Sequence, residues 1–168
     1  MTGFGYNVNG FGADYTRVEY YEATGGTITT DGDYKYHTFT GSGTFTISAA
    51  ANSAGGTIDY MVTAGGGGAG IDNSGGAGAG GMVRVTGATK SAAAYSIVIG
   101  AGGAGTTSNS GTGSQGADSS GLGSTATGGG HGSSWDSGCT GGNGGSGGGS
   151  CSNSGNNPGT GVSGQGND

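Results

Sequence analysis

A chain of 168 residues with 48 glycines and a single proline cannot be a collagen, which needs glycine at every third position and abundant proline. Its four basic residues, Arg17, Lys35, Arg84 and Lys90, face ten acidic ones for a net charge of −6. They cannot assemble the basic patch that phosphate neutralisation demands, so no nucleic acid is expected as a partner.

Helix formers are scarce. Leu122 is the only leucine, and no window repeats apolar residues at i, i+3, i+4, i+7, so almost no α-helix is expected. No run of about 18 apolar residues exists, so no membrane insertion is expected, and the start lacks the pattern of a secretory signal.

Residues 1–16 carry "GFGYNVNGFG", with Phe4, Tyr6 and Phe11 as their only large grips. This reads as a docking peptide or as a frayed terminus. Residues 17–105 read as a small β-sandwich of about seven strands with glycine-rich loops. "RVEYYEA" and "GTITT" open it. In "DYKYHTFT", Tyr34 and Tyr36 point one way and His37 and Phe39 the other. "GSG" at 41–43 reads as a turn, after which Phe45 and Ile47 resume the alternation. Ile58, Tyr60 and Val62 share a face, as do Val83 and Val85, and Tyr95, Ile97 and Ile99. Tyr20, Tyr21, Tyr34 and Tyr36 read as sheet-face residues rather than ligands.

Glycines erupt where strands end: "TAGGGGAG", "GGAGAGG", "GAGGAG", "TGGGHG" and "GGNGGSGGG". Residues 106–168 are too poor in apolar mass to fold by burying side chains. They form either a flexible linker or a bundle of polyglycine-II-type helices, which have three residues per turn and no internal hydrogen bonds, so their backbone groups bond laterally. "GAGGAG" at 100–105 satisfies G-x-G-x-x-G, but the following "TTSNSGTGSQG" cannot open the helix that a dinucleotide site requires, so the motif is rejected. Cofactors are not expected.

Cys139 and Cys151 fall short of a zinc set. Two unrelated thiols are the simpler reading, and a disulfide between loop tips would fit an oxidising setting. "HGSSWDSGCTG" is the most distinctive insertion. Trp135 could stack on a sugar ring beside Ser133 and Asp136, with His131 preceding them; the plainer reading has Trp135 covering the bundle or a neighbouring subunit. No catalytic arrangement of His37 or His131 is recognisable, and no enzyme is expected.

Together "GGTITTDGDYKYHTFTGSGTFTIS", "IDYMVTAGGGGAG", "GGAGAGGMVRV", "YSIVIGAGGAG", "SSGLGSTATGGGHG" and "GTGVSGQGND" resemble the glycine-rich domain of bacteriophage tail-fibre and related virion proteins. "GFGYNVNGFG" is similar to the start of structural proteins of marine phages, particularly cyanophages. The resemblance implies a virion location, other virion proteins as partners, a homo-oligomer, often a trimer, and loop tips that meet a glycan or protein on the host surface. A capsid head-fibre or decoration protein is the alternative placement. An extracellular polyglycine structural or ice-binding protein is the alternative class.

Overall fold

The computed structural model describes residues 18–167 apart from 54, 109–110, 136–137 and 153–156. It is all-β, built from small antiparallel sheets, and no α-helix occurs among the described residues. The expected alternation places the strands. In β5 (Ile58–Thr63) Ile58, Tyr60 and Val62 turn inward, and in β6 (Met82–Ala88) Val83 and Val85 do the same. Tyr95 and Ile97 of β7 (Ala93–Ile97) follow the same rule.

β1 (Glu22–Thr24), β4 (Gly43–Ala49) and β7 form a three-stranded sheet in the order β1-β4-β7. Its inner face presents Phe45 and Ile47, both buried, to Ile58 and Tyr60 of the β5–β6 pair. The third buried core residue, Leu122, comes from the β8 (Ser119–Gly121) and β9 (Ser124–Ala126) hairpin. The core thus draws on a residue beyond 105. Leu122 and Gly123 both have positive φ, 53° and 84°, which suits a two-residue hairpin turn matching strand twist.

β2 (Thr27–Asp31) and β3 (Tyr34–Thr38) pair with each other around Gly32, whose φ is 57°. The "GSG" at 41–43, expected as a turn, does not close a hairpin between β3 and β4. Gly32 supplies the tighter turn, and residues 39–42 instead carry the chain into the other sheet. Tyr34 and Tyr36 are exposed, while His37 on the opposite face donates Nδ1–H to the Gly25 carbonyl at 2.8 Å and meets Phe45 edge-on.

Tyr60 ties the two halves of the core. Its hydroxyl lies 2.9 Å from Ser124 Oγ and 3.3 Å from the Leu122 carbonyl, which also accepts from Lys90 Nζ. Tyr60→Phe removes these bonds without a cavity, at an expected cost of about 1 kcal/mol. A urea titration should show a lower midpoint at unchanged slope; an unchanged midpoint would mean the hydroxyl contributes nothing.

Between the strands run extended glycine segments: s1 (64–70), s2 (75–81), s3 (99–106), s4 (111–118), s5 (127–134), s6 (140–144), s7 (145–151) and s8 (157–162). Their backbone bonds repeat every third residue. Ala64 and Gly67 donate to Gly81 and Gly78 of s2, while Gly65 and Gly68 donate to Ala117 and Ser114 of s4. Gly129 and Gly132 of s5 donate to Gly65 and Gly68, and Gly103 and Thr106 of s3 to Gly66 and Ala69, at 2.8–3.1 Å. That register belongs to a threefold extended helix packed side by side with its neighbours.

The bonding partners define layers. An outer row holds s3, s1 and s2; a second holds s4, s5 and s7; a third holds s6 and s8. None of the glycines bonded in these rows has positive φ. They are glycine because of space: a Cβ on Gly67 would run into the Gly130 carbonyl of s5, and one on Gly130 into the Gly142 carbonyl of s6.

The same spacing explains "GAGGAG". Gly100 and Gly103 press on s4, Ala101 and Ala104 carry exposed methyls, and Gly102 and Gly105 have room for a side chain. The motif is a three-residue packing period rather than a phosphate loop.

Candidate functional site

The register sorts the bundle's two ends. s1 leaves β5 and s2 returns to β6; s3 leaves β7 and s4 returns to β8; s5 leaves β9. s1, s3 and s5 run parallel to one another and antiparallel to s2 and s4. The strands therefore stand at one end, and residues 71–74, 107–108, 135 and 138–139 all lie at the other. s7 runs parallel to s5, which brings Cys151 and Ser152 to that end too. The described residues of four connections thus share one tip.

Specific bonds hold the tip together. Ile71 N donates to Ser134 Oγ at 2.9 Å, and Ser152 N donates to the Asn73 carbonyl at 3.2 Å. Cys139 and Cys151 form a disulfide with Cα atoms 4.8 Å apart. This corrects the simpler reading of two unrelated thiols, and it removes both as zinc ligands. Antiparallel s6 and s7, invisible in the spacing alone, are what bring them together.

Asp72, Asn73 and Cys139 have φ of 59°, 48° and 55°. Asp and Asn tolerate this left-handed region, but for Cys it is unusual. Such conformations persist only where the surroundings over-determine them, here the disulfide and the bonds between loops.

The residues singled out in the sequence separate. Trp135 is at the tip and 38% exposed, and Ile71, whose amide bonds the preceding Ser134, is exposed as well. Ser133 and Ser134 have no exposed surface. Ser133 belongs to s5, donates N–H to Gly149, and accepts from Gly75 N through its carbonyl, so no receptor can reach it from outside. Because serine is small, s5 runs on through residues that the sequence reading placed in a loop.

His131 also lies within s5, half-buried, with its ring against Gly142 and its Nδ1 buried without a hydrogen-bond partner. It occupies the side of s5 that no neighbouring segment covers. Asp136, and the docking residues Phe4, Tyr6 and Phe11, lie outside the described residues. What sequence reasoning missed at the tip is Ile71, Asp72 and Asn73, which nothing but the fold places beside Trp135.

Away from the tip, an open depression of about 410 Å3 lies beside Tyr95, Ser120 and Ser124 without a charged side chain in its lining. The tip itself exposes two apolar side chains, Trp135 and Ile71, with Asp72 and Asn73 following Ile71 in the chain, at the end of a laterally bonded stalk. That arrangement can bind by stacking and hydrogen bonding. No curated protein and no solved structure matches the chain. The model of the glycine-rich domain family matches residues 38–168, most of the chain, and the chain belongs to that family.

Proposed function

We propose that this chain is a virion structural protein, a tail-fibre or tail-appendage subunit that presents loops for host attachment. The observation that carries the proposal is the segregation of the molecule's ends: β-sheets at one, four loops gathered at the other. A stalk held by lateral backbone bonds fixes the loops relative to one another while leaving their sequences free to vary. Presentation needs that division of labour. Residues 1–16, with Phe4, Tyr6 and Phe11, supply the attachment to other virion proteins in this reading, and Trp135 the contact with a host glycan or protein.

Gold-labelled antibody against residues 18–105 on whole phage particles from the source of this chain tests the proposal. Gold on the tail appendages is expected. Gold on the head would replace the reading with a head-fibre or decoration role. Unlabelled particles, with the epitope accessible in control blots of the same particles, would overturn the virion assignment altogether.

A further inference from the structure

A threefold extended helix has three N–H and three C=O groups per turn, pointing in directions that admit up to six neighbours. Each segment's unpaired backbone groups therefore count its missing neighbours. For s5 five of the six sets are met by neighbouring segments. Its carbonyls bond s2 through 127, 130 and 133, s4 through 129 and 132, and s6 and the start of s7 through 128 and 131. Its amides bond s1 and s7, and of the third set Gly128 N is met by Asp118 Oδ1. The one uncovered side is where His131 lies.

For s1 the count does not close. Its third set of amides, Gly66 and Ala69, and its third set of carbonyls, Ala64 and Gly67, have no hydrogen-bond partner among the described residues. One donor and one acceptor per turn are open, which corresponds to two missing neighbours. They would lie in the two valleys of the outer row, between s3 and s1 and between s1 and s2.

Those valleys are ready for occupation. Gly66, Ala69, Gly102 and Gly105 are exposed, and a Cβ on Gly66, Gly102 or Gly105 would meet nothing closer than 3.4 Å. The outer row carries no charged side chain, although the chain as a whole has a net charge of −6. Charge repulsion within the row therefore does not oppose the approach of a second copy. An open row of backbone donors and acceptors is a template for further pairing, as at an exposed sheet edge.

We propose that the s3–s1–s2 face docks a second copy of this chain through the same face. The partner's s1 would seat in one valley and its flanking segment in the other, continuing the spacing that already joins the outer row to the second. Such a contact is isologous: each copy offers the other the donor and acceptor it lacks. It does not depend on the virion assignment.

Sedimentation velocity over a concentration series of the full chain is the test. The unmodified protein should dimerise. Gly66→Lys and Gly102→Lys, placed where a side chain fits the monomer, should weaken the dimer at least about tenfold by burying an unpaired charge in the contact. At concentrations too low for dimerisation their melting temperatures should be no lower than the parent's. Tyr34→Lys, on the exposed face of β3, should leave the dimer intact. Should lysine disturb the fold, Gly66→Cys reads the same contact through intermolecular crosslinking on oxidation, which is expected in the dimer fraction. A chain that stays monomeric, a dimer indifferent to both lysines, or a dimer lost only in Tyr34→Lys would each overturn the proposal.

Discussion

Gly130→Ala should strongly destabilise the bundle, whereas Gly66→Ala should leave it intact or slightly more stable. Both changes add one methyl group to a glycine in the same lateral array, and neither position has positive φ, so backbone preference does not distinguish them. Surroundings do. At Gly130 the new Cβ would overlap the Gly142 carbonyl and sit 2.8 Å from Gly148 N, both backbone atoms fixed by their own lateral bonds. No flexible side chain can yield.

Overpacking typically costs about 1–3 kcal/mol. Here s5 must also separate from s6 and s7, leaving buried amides and carbonyls unpaired at about 1–3 kcal/mol each. The sum is at least about 3 kcal/mol, or roughly 10 °C in melting temperature for a chain of this size. At Gly66 the nearest atom is the Gly78 carbonyl oxygen at 3.7 Å, an ordinary contact. Alanine there restricts the unfolded chain and should stabilise by about 0.4–1 kcal/mol. Calorimetry on the pair decides. Equal melting temperatures would mean that lateral close approach does not hold the bundle together.

This contrast also marks what the sequence could and could not disclose. The strands were legible because alternation is local: Ile58, Tyr60 and Val62 carry their inward face in their spacing. Leu122 was visible as the chain's only leucine, but its place in the core was not, since it depends on β8–β9 folding back beside Tyr60. Three-residue glycine spacing suggested a laterally bonded bundle. It could not say that s1 lies between s2 and s3, because segments without side chains have no surface pattern to match. The strand ends choose the neighbours: β5 and β6 pair, so s1 and s2 must run side by side. At the tip, glycine marked where segments began better than where they ended. Ser133 and Ser134 look like loop residues, yet each is small enough to continue s5, and only their burial moves the loop's start to Trp135.

Removing the Cys139–Cys151 bond should loosen the tip while sparing the β-core. The bridge spans 12 residues of sequence, and closing a loop of that size contributes about 3 kcal/mol in the chain-entropy account. It joins the beginning of s6 to the end of s7, close in sequence to Trp135 and Ser152. Segments s6 and s7 keep their lateral bonds to s5 and s8 without it. What they lose is the link between their outer ends, where Cys139 holds its left-handed backbone.

Cys139→Ser with Cys151→Ser should therefore melt at lower temperature than the parent. Amide exchange should speed up most in residues 138–151, with little change at Phe45 and Ile47, whose burial is remote from the tip. Reductant should shift the parent by a similar amount and the double variant not at all. Two titratable thiols in the oxidised, unfolded parent would show the bond to be absent. A bond that is present but whose loss leaves exchange at 138–151 unchanged would mean that lateral backbone bonding alone orders the tip. In that case Trp135 and Ser152 take their positions from s5 and s7, and Trp135 would be presented as well without the disulfide as with it.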